Sequence, residues 1–182
     1  PETEQAFFCC LWDKEPENPE STVYRREWYS KYKKVGYWAR VLVLDDGKIV
    51  GKCHTIPITY SPFEGRDLLA ILCLYVHMYA HQVGDHRHKG LGRYMLDQVE
   101  QDARNRGFKG VVAWAMDWDW NPVSFYEHMG YARVDEEDKV VVVWKPFSEE
   151  ARPPRLLRLD HVASADNTRV SVVVADNPWC LN

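Results

Sequence analysis

The residues best suited to chemistry are the run His86-Arg87-His88-Lys89-Gly90-Leu91-Gly92. Two glycines spaced G-x-G sit among basic residues, between an apolar run at 68–76 and a second run from Leu91 to about Arg106. In the second run Leu91, Tyr94, Met95, Val99 and Ala103 recur at three- and four-residue steps, which is one face of a helix. A glycine loop that opens a helix is an anion site. The first-turn N–H groups have no partner within the helix, and the helix dipole favours negative charge there. Without a Cβ, the glycine backbone can come close to a phosphate. The ligand expected at Arg87, His88, Lys89, Gly90, Leu91, Gly92 and Arg93 therefore carries a phosphate or pyrophosphate. Two familiar phosphate loops do not fit. A P-loop needs a lysine-serine pair where Arg93 begins, and a dinucleotide fingerprint needs glycine where Met95 stands.

A second constellation lies downstream, at Asn121-Pro122-Val123-Ser124-Phe125-Tyr126-Glu127-His128-Met129-Gly130-Tyr131. Asn121 suits an N-cap and Pro122 a first helical position, so a short helix is expected from Pro122 to Met129, ended by Gly130. Taken alone, Tyr126 is either an acid or a half-buried core tyrosine. Read together, Arg87-x-x-Gly90-x-Gly92 and Tyr126-Glu127-x-x-Gly130-Tyr131 resemble the two signatures of the GCN5-related N-acetyltransferase (GNAT) superfamily. The resemblance covers about residues 6–147 and is best from Trp38 onward.

That resemblance implies an α/β (α+β) GNAT fold: a mixed central sheet of about six to seven strands, flanking helices and a V-shaped splay between the central strands. It implies an acyl-CoA-dependent N-acyltransferase that moves an acetyl group from acetyl-CoA to an amine by direct attack in a ternary complex. The pantetheine arm would pair with the strand ending Leu74-Tyr75-Val76, and a backbone N–H near Val76 would polarise the thioester carbonyl. Tyr126 would protonate the leaving thiolate. One departure stands out: Asp119 occupies the place, seven residues before Tyr126, where the family often has asparagine. Asn121, two residues later, is the candidate contact to the pantetheine arm. The family's base is often a carboxylate on the strand before the glycine loop, and residues 68–76 contain no acid. Asp67, His54, His77 and Glu127 are the nearest candidates. A CoA-binding module of the same fold without catalysis is the alternative.

The elements that must position these residues can be read along the chain. Residues 6–12 are a short strand or the start of a helix. Ser21 to about Lys34 is helical, with Ser21 as a candidate N-cap and Gly36 as its end. Trp38–Leu44 and Lys48–Tyr60 form a hairpin through Asp45-Asp46-Gly47, with Gly51 a bulge or close approach. The apolar strand, the glycine loop and the long helix follow. Next come a strand at 111–116, the short helix, and strands near 131–135 and 140–145. Residues 146–157, rich in proline and charge, suggest a linker. The domain is thus placed at 1–147. The extension 148–182 carries one more strand, Thr168–Ala175, followed by Asn177-Pro178-Trp179-Cys180. It is read as an extra strand on the sheet in preference to the truncated opening of a thioredoxin-like unit.

Two further runs invite a chemical reading. Residues 77–85 are an insert at the expected cofactor mouth, a candidate lid. With His86 and His88 it gathers four histidines and Asp85, but at no strong ligand spacing, so polar loop residues beside phosphates are favoured and no metal is expected. In Trp114-Ala115-Met116-Asp117-Trp118-Asp119-Trp120 the acids alternate with tryptophans. That suits a pocket for a cationic acceptor as well as it suits buried rings with solvated acids.

Composition sets the outer limits. A chain of 182 residues, 46% hydrophobic and 27% charged, suits one core with a modest appendage. The net charge of −4 gives no overall field for nucleic acid. Five cysteines, an odd number, without a C-x-x-C, favour reduced thiols and a cytoplasmic protein. No apolar run reaches membrane-spanning length. The expected partner is a small-molecule or peptide amine, with neither nucleic acid nor membrane, and a homodimer is left open. The chain begins at Pro1 rather than Met, which leaves room for a preceding segment.

Overall fold

The structure, a computed structural model, describes residues 19–81, 83–118 and 121–158. The expected strand or helix start at 6–12, the C-terminal strand Thr168–Ala175 and Asn177-Pro178-Trp179-Cys180 lie outside the described residues. Helix α1 (Pro19–Lys33) gives way to a turn that closes at Gly36 (φ +98°), the stop expected from sequence. Ser21 does not cap it but lies inside it. The helix includes Pro19, whose missing N–H costs nothing in a first turn. Strands β1 (Trp38–Val43) and β2 (Ile49–Pro57) form the expected hairpin, closed by Gly47 N–H to the Leu44 carbonyl at 2.8 Å. Strand β2 stops at Pro57, short of Tyr60. Residues Ile58–Tyr60 turn into a 3-10 helix, and the Ser61 hydroxyl fastens it to the Ile58 carbonyl at 2.7 Å.

There follow β3 (Phe63–Glu64), β4 (Leu68–Val76), α2 (Leu91–Asn105), β5 (Gly110–Met116), α3 (Val123–His128), β6 (Ala132–Glu137), β7 (Val140–Pro146) and β8 (Arg155–Leu156). Six strands make one sheet in the order β1-β2-β4-β5-β7-β6. Within it β4 and β5 are parallel and the other neighbours antiparallel. The parallel pair follows from the crossover through α2, which a tight turn could not supply. This is the mixed sheet expected of the GNAT fold.

Each face of the sheet carries a core. One packs under α2 and α3: Leu69, Ile71, Val111, Ala113 and Ala115 meet Met95, Leu96, Val99, Ala103, Val123 and Tyr126. The other lies on the α1 face, where Ile56, Leu68, Ala70, Leu72, Val112 and Val142 meet Trp28 and Tyr37. Gly51 shows why a small residue is needed on the first face. A Cβ there would stand 2.9 Å from the Met95 sulfur of α2 and 3.0 Å from the Tyr75 carbonyl. The expected bulge is also found here, since Leu42 faces Gly51 while Val43 faces Ile49.

Residues 148–158, read from sequence as linker, belong to the domain. Strand β8 pairs with β3. The Asp135 carboxylate accepts the Leu156 N–H at 2.8 Å and pairs with Arg158 at 2.8 Å. Ala151 and Pro154 are buried. Lys109 holds Glu150 at 2.7 Å. Proline and mixed charge suit a short edge strand tied by ion pairs as well as they suit a linker. Cys53 is a buried thiol, and no helix among the described residues is long and apolar enough to cross a membrane.

Candidate active site

The splay expected between the central strands is present. Strands β4 and β5 pair only from Leu68–Gly110 to Ile71–Ala113. Beyond that point β4 stays paired to β2 as far as Val76, and β5 stays paired to β7 as far as Met116. The gap between them therefore has two intact walls. A bulge starts it: His54 of β2 faces Cys73 while Thr55 faces Ile71, so Leu72 is the extra residue. The extra residue flips the alternation, since Leu69 and Ile71 below it and Leu74 and Val76 above it all face α2.

The backbone of β4 inside the gap can be oriented. The His77 N–H bonds back to the Val50 carbonyl of β2 at 2.8 Å. Neighbouring N–H groups of a strand point to opposite edges. The N–H groups of Val76 and Leu74 thus point away from β2, into the gap. The Trp114 indole crosses the gap's root, donating to the Leu72 carbonyl at 3.0 Å.

At the top of the gap stands the glycine loop. Gly90 is left-handed (φ +77°, ψ −1°) and caps α2. His88 also has positive φ, +59°. Left-handed residues alternating with ordinary ones turn successive N–H groups toward one concavity, an anion nest. Nothing lies within 4 Å of where a Gly90 Cβ would stand, so the approach to the helix N-terminus is open. A Cβ on Gly92 would touch the Phe125 ring of α3 at 3.4 Å, an ordinary contact. Helix α2 has no acid in its first turn, and His88, Lys89 and Arg93 are exposed beside Leu91. Arg87 is differently placed. Its guanidinium forks onto Asp85 at 2.7–3.2 Å, which holds the Asp85 carboxyl well below the usual range.

The described residues of the insert 77–85 fold onto His77. The ring is fully buried and its Nδ1–H donates to the Gly84 carbonyl at 3.0 Å, while the His86 N–H bonds the His77 carbonyl at 2.9 Å. His86 takes Lys89 on Nδ1 at 3.5 Å, and His81 and His88 are exposed. The histidines thus do separate work. No three His, Cys, Asp or Glu among the described residues gather as a metal site.

Tyr126 of α3 is 2% exposed and lies in the core cluster that contains Ile71, Ala113 and Ala115, where the strands part. Its ring meets Phe125 and Tyr131 edge-on, centroids 5.2 and 5.5 Å apart. Burial pushes its phenol well above the ordinary value, with the Cys53 and Cys73 thiols adding to the shift. It therefore keeps its proton throughout the physiological range.

Asn121 does not cap α3. Pro122, in extended backbone, holds the cap position without a side-chain bond. The Asn121 amide reaches back to the Trp114 carbonyl at 2.8 Å, and the Met116 N–H bonds the Asn121 carbonyl at 2.8 Å. Asn121 thus clamps the loop to the upper end of β5, at the gap wall. Asp119 and Trp120 lie outside the described residues. Asp117 is already paired with Arg133 at 3.2 Å, and the exposed Trp118 ring has Lys139 over it at 5.1 Å. These two do not form a vacant cation pocket.

The four candidate bases divide by position. Asp67 lies at the closed end of β4 near Lys109, 3.7 Å away. Glu127 is held by Arg133 at 2.8 Å. His77 organises the insert. His54 is buried on the α1 face, 2.8 Å from the Tyr37 hydroxyl, and stands opposite Cys73 at the bulge. His54 thus stands one strand behind the gap. Sequence reasoning passed over its neighbour Lys52, which is buried in the middle of β2.

Residues 4–131 match the model of the acetyltransferase (GNAT) family. Solved structures share the fold. The PaiA N-acetyltransferase from Thermoplasma acidophilum, crystallised with coenzyme A, matches with TM-score 0.53 and 16% identity over 70% of this chain and 71% of its own. A GNAT-family acetyltransferase from Staphylococcus aureus matches with TM-score 0.55 and 13% identity, covering 81% of this chain and 92% of its own. The ribosomal-protein-S18-alanine N-acetyltransferase from Escherichia coli matches with TM-score 0.53 and 14% identity, covering 80% and 87%. No curated protein matches the chain.

Proposed function

The chain belongs to the acetyltransferase (GNAT) family, and from that premise we propose that it transfers an acetyl group from acetyl-CoA to an amine by direct attack in a ternary complex. The observation that carries the reading is the parting of β4 from β5 beneath an open glycine loop. The residues fit acetyl-CoA: an anion nest at 88–92 for the pyrophosphate, and a strand edge with inward N–H groups at Leu74 and Val76 for the pantetheine arm.

Acetyl-CoA supplies an acyl group already activated as a thioester. The backbone N–H groups of Gly90, Leu91 and Gly92 hold its phosphates, with Lys89, His88 and Arg93 adding positive charge at the rim. Arg87, fixed by Asp85, shapes the loop. Asn121 steadies the wall of β5 along which the arm runs. The Val76 N–H donates to the thioester carbonyl and stabilises the charge that develops there. The Tyr126 hydroxyl gives its proton to the departing sulfur and is restored by the proton that the attacking nitrogen sheds as the amide forms. Holding both reactants in one gap supplies much of the rate without a dedicated base.

Free-thiol release from acetyl-CoA, measured over a panel of amines, tests the reaction. Calorimetry with Gly90→Glu tests the site. A carboxylate in that open space should abolish acetyl-CoA binding while the protein stays folded. A folded variant that binds as well as the parent would place the cofactor elsewhere. Tight binding by the parent without turnover of any amine would favour the non-catalytic CoA-binding module.

A further inference from the structure

Lys145 of β7 turns the three protons of its ammonium onto protein acceptors. It donates to both oxygens of the Glu100 carboxylate of α2, at 3.0 and 2.9 Å, and to the Met129 carbonyl at the end of α3, at 2.9 Å. Glu100 is buried, and a carboxylate so placed must be paired. The lysine stands on the fixed part of the sheet. Its β5 neighbour is Val111, which pairs in turn with Leu69 of β4, below the point where the strands part.

The ammonium reaches Tyr126 through α3. A helix of six residues does not hold itself in place, so ties at its ends must do so. At its start Pro122 bridges to Met116, and Asn121 is clamped to β5. At its end the Tyr126 carbonyl accepts the N–H groups of Met129 and Tyr131, each at 3.0 Å, and the Met129 carbonyl accepts Lys145. Met129 thus joins the backbone of Tyr126 to the ammonium. The rings follow the same line. Tyr131 lies edge-on to Tyr126, centroids 5.5 Å apart, and the Lys145 ammonium stands 5.7 Å from the Tyr131 centroid.

A buried ion pair adds little stability over apolar side chains of similar volume. What Lys145 and Glu100 supply, and such side chains would not, is direction. The carboxylate keeps the ammonium in one place, and the ammonium holds one carbonyl of a helix end that otherwise lacks donors.

We propose that Lys145 is a positioning residue for acetyl transfer. Aimed by Glu100, it fixes the end of α3 and thereby the Tyr126 hydroxyl against the departing sulfur. The inference rests on the acetyl-transfer reading with Tyr126 as its acid. It extends that machinery to two residues outside the glycine loop and the strand edge.

The test removes both charges together, in Glu100→Leu with Lys145→Met, because either change alone strands the other charge. This double variant should melt close to the parent. It should bind acetyl-CoA with the parent's affinity by calorimetry, since Glu100 lies about 14 Å along α2 from the glycine loop. Its kcat should fall about tenfold while KM for the amine changes little, because a misplaced acid is felt only in the transition state. Lys145→Arg, which keeps the charge and the donors, should keep most of kcat. The decisive comparison is made in Tyr126→Phe. There the double change should lower kcat by less than about twofold further, because the hydroxyl it misplaces is gone. Glu100→Gln keeps the shape of the pair and should lose about threefold in kcat, a loss that should also vanish in Tyr126→Phe. It carries the comparison if the double variant does not fold. The parent's kcat in these variants overturns the proposal. Equal losses with and without the Tyr126 hydroxyl also overturn it, making the pair a general support of the fold. Lost acetyl-CoA binding in the double variant assigns the pair to the cofactor instead. If Tyr126→Phe keeps the parent's kcat, the proposal falls with the acid while acetyl transfer stands. If no amine turns over, the acetyl-transfer reading fails, and the pair is judged by position alone. In protein with carbon-13 in its tyrosine rings, the Tyr126 signal is identified by its absence from Tyr126→Phe. That signal must move in the double variant, and an unmoved signal sinks the idea.

Discussion

Tyr126 is buried among Phe125, Tyr131 and the small residues Ala113 and Ala115. A packing tyrosine and an acid tyrosine make different predictions for one atom. Tyr126→Phe removes the hydroxyl and almost no volume, so the fold and acetyl-CoA affinity should survive. The hydroxyl matters only as charge develops on the departing sulfur, so kcat should fall by about 10²-fold while KM changes little. Steady-state kinetics with an acceptor from the amine panel decides it. A variant with the parent's kcat at saturating substrate would make Tyr126 a packing residue. The raised phenol value adds a pH signature: Tyr126 should contribute no alkaline fall in kcat below about pH 10, its ordinary value.

At the scale of elements, β8 stands out, because composition marked it as linker and three ties hold it. It pairs with β3, Arg155 meets Glu64, and Asp135 of β6 holds both the Leu156 N–H and Arg158. Asp135→Ala should loosen the segment 148–158. Charge-assisted bonds at a partly exposed site are worth about 1 kcal/mol after screening, a melting shift of roughly 2–4 °C. Limited proteolysis should cut the segment faster in the variant. Unchanged proteolysis and melting would show that the β3 pairing, the Arg155–Glu64 pair and the buried Ala151 and Pro154 hold the segment without Asp135. Arg158 lowers the Asp135 carboxyl from 3.8 to about 2. The tie is thus fully present above pH 3.8 and is lost as pH falls through 2, so the difference between parent and variant should narrow in acid.

The whole molecule buries acids that ionise only when it unfolds. Desolvation pushes the Cys53 thiol above 9.0 and the Tyr126 and Tyr131 phenols above 10.0. The unfolded chain then loses these protons first, so stability falls as pH rises. Denaturant unfolding should give a nearly flat stability from pH 7 to 9. Above pH 10 it should steepen, each group adding up to about 1.4 kcal/mol per pH unit. A stability that stays flat to pH 11 would mean these groups reach solvent in the native state.

The sequence by itself determined the local pieces and, through them, the family. The three- and four-residue spacing of Leu91, Tyr94, Met95, Val99 and Ala103 predicts α2, and the glycines before it predict the loop that opens it. Asp45-Asp46-Gly47 sets the hairpin. Leu74 and Val76 were named by resemblance, and the structure turns their N–H groups into the gap. These features were legible because each depends on neighbours within a few residues. What the sequence misread depends on partners far along the chain. Asn121 reads as a cap, but Trp114 competes for its amide. Residues 148–158 read as linker, but Asp135 and Glu64 supply anchors that composition does not reveal. Asp117 reads as a free acid until Arg133 arrives. Lys52 is one lysine among many in the sequence. Only the sheet decides that it is inside, because burial is set by which strand lies beside β2 and which face that strand covers.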